Sequence, residues 1–133
     1  MDNAGSYSLA SLQISAAKSL SLLTPIQNLD GMSSVSIEAS FSYGSAGSTC
    51  SAIVATSYDE GTTWRHVARF DFTTSTSVKI ANVQAIAAKA VGAYTDLGSE
   101  GVNDGALGSW LAVYVVSTGT YANTVLSVRA AVR

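Results

Sequence analysis

The chain contains one histidine, His66, and one cysteine, Cys50. A Ser-His-Asp or Cys-His site needs an imidazole to take the nucleophile's proton, so any such site here must use His66. His66 follows Trp64 and Arg65 at the start of an alternating apolar run, and no G-x-S-x-G nucleophile turn lies near it. That context reads as a histidine on the surface or rim of the fold. Cys50 opens the apolar stretch Ser51-Ala52-Ile53-Val54-Ala55, which reads as a buried strand, and a buried thiol behaves as a small hydrophobe. One cysteine excludes an internal disulfide, and His66 with a buried Cys50 offers too few ligands for zinc. The nine carboxylates are Asp2, Asp30, Glu38, Asp59, Glu60, Asp71, Asp96, Glu100 and Asp104. Most stand in turn-like sequence, where Asp accepts backbone N–H bonds, and a glycosidase pair among them would meet only in the fold. Asp96, Glu100 and Asp104 share an acidic stretch, but the ligand order of an EF-hand loop is absent. These residue types therefore assign no catalytic group, no metal site and no cofactor.

The sharpest local pattern is Ser57-Tyr58-Asp59-Glu60-Gly61-Thr62-Thr63-Trp64, of the form S-x-D-x-G-x-x-W. Asp59 can accept backbone N–H bonds across a turn, Gly61 can adopt positive φ, and Trp64 can pack back over the hairpin. The pattern resembles the Asp-box hairpin of sialidases and β-propellers. A propeller repeats such a unit every 40–50 residues or so, whereas this sequence carries one copy, and sialidase chemistry also needs a set of arginines. Ser57, Asp59, Gly61 and Trp64 are expected to build a structural hairpin, with a glycan site as the alternative. Beyond it, alternation places Arg65 and Arg69 on the strand face opposite Ala68, Phe70 and Phe72.

The elements that position these residues read as strands. Val35, Ile37, Ala39, Phe41 and Tyr43 alternate with Ser34, Ser36, Glu38, Ser40 and Ser42. Such period-two alternation marks a half-buried antiparallel strand. Leu126, Val128, Ala130 and Val132 repeat the pattern at the C-terminus, which predicts a terminus tied into a sheet. Further strands are expected around Leu9, Leu12 and Ile14, over residues 19–23 before Pro25, and over residues 50–56, 65–72, 78–83 and 110–116. Residues 50–56 are apolar on both faces, as in a central strand. Residues 82–93 are Ala-rich, and Val83, Ile86, Ala87 and Ala90 would share one face of a short helix. Residues 92–108 hold five glycines and the acidic stretch, which reads as a long loop of the kind used for contacts.

About eight short strands with polar turns and no internal repeat predict an all-β fold. The expected architecture is one antiparallel β-sandwich, or jelly roll, spanning residues 1–133. Residues 1–8 are short and polar, and read either as an arm ordered on binding or as a frayed terminus. Residues 1–6 lack a basic region and an apolar core, so they do not read as a secretory signal. The chain is 47% hydrophobic but only 12% charged, against about 25% in a typical globular chain. Ser and Thr must cover most of the surface. The deficit favours assembly into a larger structure, the alternative being a weakly charged Ser/Thr-faced monomer. Net charge is −2 and the seven basic residues do not cluster, which argues against a nucleic-acid partner. No apolar run approaches the roughly 18 residues that span a bilayer, so no membrane partner is expected.

The order of several motifs carries a resemblance. S-Y-D-E-G-T-T-W-R-H-V-A-R-F-D-F from Ser57 is followed by T-T-S-T-S-V-K-I. Then come D-G-A-L-G at Asp104, S-T-G-T-Y-A at Ser117 and a final L-S-V-R-A-A-V-R. Over residues 35–133 this series resembles small virion proteins of tailed bacteriophages. Glu60, where that pattern has glycine, and the Ala-rich residues 85–93 depart from it. The resemblance implies a non-enzymatic virion protein assembled in the host cytoplasm. The expected role is a capsid decoration (cement) protein that binds the major capsid protein as a homo-oligomer, most simply a trimer. A head–tail connector or collar component, or a tail tube subunit, is the alternative. Tyr94, Asp96, Glu100, Asp104, Tyr121 and Asn123 are the expected subunit contacts. A reading from another class is a carbohydrate-binding adhesin, with Trp110, Tyr94 and Tyr121 stacking on sugars unless Trp110 belongs to the core.

Overall fold

The computed structural model describes residues 4–133. Eight strands of five or more residues form it, with three of two residues. In order these are β1 (Gly5–Ile14), β2 (Lys18–Leu22), β3 (Ser34–Ser42), β4 (Ser45–Ala46), β5 (Thr49–Ser57) and β6 (Arg65–Phe72). They continue with β7 (Ser77–Gln84), β8 (Gly101–Val102), β9 (Trp110–Thr118), β10 (Tyr121–Ala122) and β11 (Thr124–Val132). One sheet has the order β1-β11-β3-β7, the other β2-β9-β5-β6-β8, and β4 pairs with β10 in a small ribbon. All pairings are antiparallel. Counting only the eight longer strands, the two sheets run 1-8-3-6 and 2-7-4-5, which is jelly-roll order. The eight longer strands are those the sequence leads one to expect, by alternation or, for β5, by a run apolar on both faces; the two-residue ones carry no periodic signal.

The two inner faces interdigitate into one core. Val35, Ile37, Ala39 and Phe41 of β3 point inward, as do Leu126, Val128, Ala130 and Val132 of β11. From the other sheet come Cys50, Ala52 and Val54 of β5, Leu111, Val113 and Val115 of β9, and Phe70 and Phe72 of β6. Phe41 stacks on Phe72 at 4.9 Å between ring centroids. β5 lies between β9 and β6 and is buried on both faces from Cys50 onward. Burial pushes the Cys50 thiol up to about 11. A thiol-specific disulfide reagent at pH 8 is therefore expected to leave the folded protein unlabelled and to titrate one thiol after unfolding. Prompt labelling of the native chain would contradict this burial.

Three expectations are corrected here. Residues 82–93 form no helix, and no helix occurs among the described residues. Val83 pairs with Val35 on the edge of the four-stranded sheet and is fully buried. The apolar anchor of the imagined helix is thus used by a strand, and residues 84–93 have no face left to bury. Ile86 and Val91 stand 73% and 105% exposed. Second, residues 5–8 are not an arm: Gly5, Ser6, Tyr7 and Ser8 pair with Val132, Ala131, Ala130 and Arg129. Residues 1–3, which the same expectation covered, lie outside the described residues. Third, Arg65 and Arg69 do not share a face by register. A bulge at Val67 sets Val54 opposite Ala68 but Ala55 opposite His66, so both Val67 and Ala68 enter the core.

Candidate functional site

The hairpin between β5 and β6 is built by its own side chains. Asp59 Oδ1 accepts the Thr63 N–H at 2.8 Å and the Ser57 hydroxyl at 2.8 Å, and Asp59 Oδ2 accepts the Thr63 hydroxyl at 2.7 Å. Ser57 Oγ in turn accepts the Gly61 N–H at 2.8 Å. These bonds, led by that of the Thr63 hydroxyl, hold the Asp59 carboxyl below its usual range. Glu60 and Gly61 both take left-handed φ, 56° and 87°. Left-handed φ at Glu60 is a conformation that glycine adopts more readily. A Cβ on Gly61 would sit 2.7 Å from the Trp110 ring, and Trp64 lies 6.5 Å from Trp110. Trp110 is half-buried, a wall of the hairpin and not a core residue.

We expect Asp59→Ala to accelerate hydrogen exchange at the Thr63 amide while leaving the β5 and β9 amides unchanged. In the unsubstituted protein the Asp59 contribution is present above the ordinary carboxyl value of 3.8 and is lost as pH falls through the lower folded value. Amide exchange followed through an acid titration measures both.

The second polar constellation lies along the outer edge of β6. His66 sits on the outer face of the sheet, as expected of a surface or rim histidine, but residues 94–103 cover it until its side chain is only 12% exposed. Its ring lies 5.9 Å from Tyr114 of β9. His66 Nδ1 accepts the Leu97 N–H at 3.1 Å, and Nε2 lies 3.9 Å from Asp96 Oδ1. Burial lowers the imidazole pKa; Asp96 works against this and Arg69 adds to it. Tyr94 accepts the His66 N–H at 2.6 Å and donates to Asp96 at 2.6 Å. Burial, then the bond to Asp96, push its phenol up to about 12. The Arg65 guanidinium lies 5.2 Å over the Tyr94 ring.

Residues 94–103 continue this pattern down the strand edge. Asn103 Nδ2 donates to His66 O at 2.8 Å, and Asn103 N to Val67 O at 2.9 Å. β8 pairs Val102 with Ala68 and Gly101 with Arg69. Glu100 accepts the Asp71 N–H at 2.9 Å and pairs with Lys79 of β7, which also donates to Asp71 O at 2.6 Å. Lys79 holds the Glu100 carboxyl below its usual range. Arg69 bonds both Asp71 and the Leu97 carbonyl. Burial pushes the Asp71 carboxyl up, but Ser51 and Arg69 outweigh it and the net direction is down.

The six expected contact residues thus have different fates. Tyr94, Asp96 and Glu100 bond within the chain along β6. Asp104 caps the Gln84 and Gly105 amides, each at 3.0 Å. Asn123 is exposed, with φ 52°, in the turn between β10 and β11. Tyr121 is corrected outright: it is 2% exposed, its hydroxyl donates to Thr73 O at 2.7 Å, and it meets Phe41 edge-on at 5.7 Å. It can neither stack on a sugar nor touch a neighbour. The carboxylates of the acidic stretch each serve a separate bond, and no three His, Cys, Asp or Glu side chains converge on a metal-sized site among the described residues. Sequence reasoning passed over Lys79, Leu97 and Asn103, because their roles depend on which backbone groups the β6 edge leaves unpaired. No known family model, curated protein or solved structure matches this chain.

Proposed function

We propose that this chain is a non-enzymatic structural protein of a tailed-phage particle, a decoration protein that binds the assembled head and cements it. The observation that carries this reading is the outer face of the four-stranded sheet. Ser11, Ser127, Ser40 and Val78 stand side by side across β1, β11, β3 and β7. The next row is Ser8, Arg129, Glu38 and Ile80, and the next Ser6, Ala131, Ser36 and Asn82. Only two of these twelve positions are charged, and they lie opposite each other. Val78 and Ile80 stand 56% and 69% exposed at the β7 margin. Such a face loses little on leaving water for another neutral protein surface, whereas to a phosphate backbone it offers one cation, Arg129, already opposite Glu38. Jelly rolls also recur in viral capsid and lectin domains, a fold-level analogy that supports the same reading. With it come the major capsid protein as partner, a homo-oligomer such as a trimer, and the virion as location. Connector, collar and tail tube roles use the same kind of face.

A glycan-binding role is the second reading. Tyr58, 60% exposed in the hairpin that also carries Trp64, favours it. The test is cosedimentation of the purified protein with expanded empty heads of a tailed phage. Saturable binding is expected, with a rise in head melting temperature that Ile80→Asp abolishes. No binding and an unchanged melting temperature would remove the decoration role, and a glycan-array hit would then favour the adhesin.

A further inference from the structure

We propose that residues 94–103 form a strap that caps the outer edge of β6 and is released by acid, with His66 as its latch. An exposed strand edge is a row of unpaired N–H and C=O groups that invites pairing with another chain. Here the row is blocked group by group. Tyr94 takes the His66 N–H, Asn103 takes the His66 and Val67 carbonyls, the two-residue β8 covers Ala68 and Arg69, and Glu100 takes the Asp71 N–H. The hold is almost wholly polar. Val102 is 40% exposed, Tyr94 is 38% exposed, and the preceding residues 84–93 are exposed throughout. Segments with few buried apolar contacts open most readily.

The latch follows from the placement of one proton. Because Nδ1 accepts the Leu97 N–H, neutral His66 in the closed strap carries its proton on Nε2. A second proton can enter only at Nδ1, where it meets the Leu97 N–H head-on. Protonation and the closed strap are therefore mutually exclusive at that atom. The groups around the ring are Tyr94 and Asp96 from the strap, Tyr114 from β9, and Arg69 from β6 itself, while Arg65 lies over the Tyr94 ring. β5 presents Ala55 opposite. Asp96 favours the imidazolium, but through Nε2, which does not relieve the clash at Nδ1. Burial and Arg69 oppose the charge. The imidazole pKa is thus lower with the strap closed than open. Closure is fully favoured above the ordinary histidine value of 6.5 and weakens as pH falls through the lower closed-state value.

Hydrogen exchange resolved by residue tests this between pH 7.5 and 5. Protection factors at the His66, Asp71, Leu97 and Asn103 amides are expected to fall together as pH drops. The limit is about tenfold per pH unit for one proton, with β5 and β9 amides unchanged. His66→Asn keeps an acceptor near the Nδ1 position but cannot titrate, and its strap is expected to stay protected across the range. His66→Phe removes the acceptor, and its strap is expected to be open at both ends. Flat protection in the unsubstituted protein, or the same fall in His66→Asn, would overturn the proposal. If His66→Phe fails to fold, the comparison with His66→Asn decides alone.

Discussion

Tyr121→Ala is expected to lower the stability of the isolated protein by about 3–5 kcal/mol, the usual cost of removing a large aromatic side chain from a packed core. The ring fills the junction between Phe41, Tyr43 and the β4–β5 turn. It meets Phe41 and Tyr43 edge-on at 5.7 and 6.1 Å. The backbone of Gly47 comes so close that a Cβ there would lie 2.3 Å from the Tyr121 ring. No neighbouring side chain can collapse into that space without moving the turn. Tyr121→Phe keeps the ring and loses only the bond to Thr73 O, which sets its cost near 1 kcal/mol. Denaturant unfolding of the two variants separates a core residue from a subunit contact. A contact residue would leave the monomer within about 0.5 kcal/mol of the unsubstituted protein and change assembly alone.

Gly108→Ala is expected to cost about 2–3 kcal/mol, the upper part of the range for overpacking a tight site. A Cβ at Gly108 would stand 2.2 Å from Ser57 O and 2.7 Å from Ser57 C. Those atoms are backbone and cannot swing away. Relief would require the chain entering β9 to part from the end of β5. Three bonds hold them together there: Gly108 N–H to Thr56 Oγ1 at 2.8 Å, the Thr56 hydroxyl to Trp110 O at 2.9 Å, and Ser109 N–H to Ser57 O at 3.1 Å. Gly105 in the same D-G-A-L-G motif is there for a different reason. Its φ is 89° and its nearest neighbour is the flexible Lys89 side chain at 2.9 Å, so alanine there strains one residue instead of two strands. Gly92, with nothing within 4 Å, is the neutral control. Unfolding midpoints of the three variants should rank Gly108→Ala lowest by a clear margin. Equal effects at 105 and 108 would mean that the close approach to Ser57 does not exist.

Both cases show where local pattern stops. The S-T-G-T-Y-A series places a turn and an aromatic but not the side of the sheet that receives the ring, because Tyr121 starts a two-residue strand with no alternation to read. D-G-A-L-G shows two glycines without distinguishing a φ requirement from a steric one. The helix expected over residues 82–93 fails for a related reason. Val83, Ile86, Ala87 and Ala90 fit a helical face, but β3 offers Val83 a full hydrogen-bonded ladder, and tertiary pairing overrides a weak local preference.

What the sequence determined by itself is the strand content, the buried faces of β3 and β11, the central position of the Cys50 strand and the side-chain chemistry of the Asp59 hairpin. All of these are written in neighbours one to four residues apart, where period-two burial and turn bonding act. Only the tertiary structure decided the jelly-roll order, the bulge at Val67, and the set of groups that meets at the β6 edge. The bulge adds one residue and moves His66 from the parity of Ala68 to the outer face, a change of register that no composition signals. Once there, His66 finds Leu97 some thirty residues away. That meeting depends on which backbone groups β6 leaves open, and the open groups are known only after the sheet has closed.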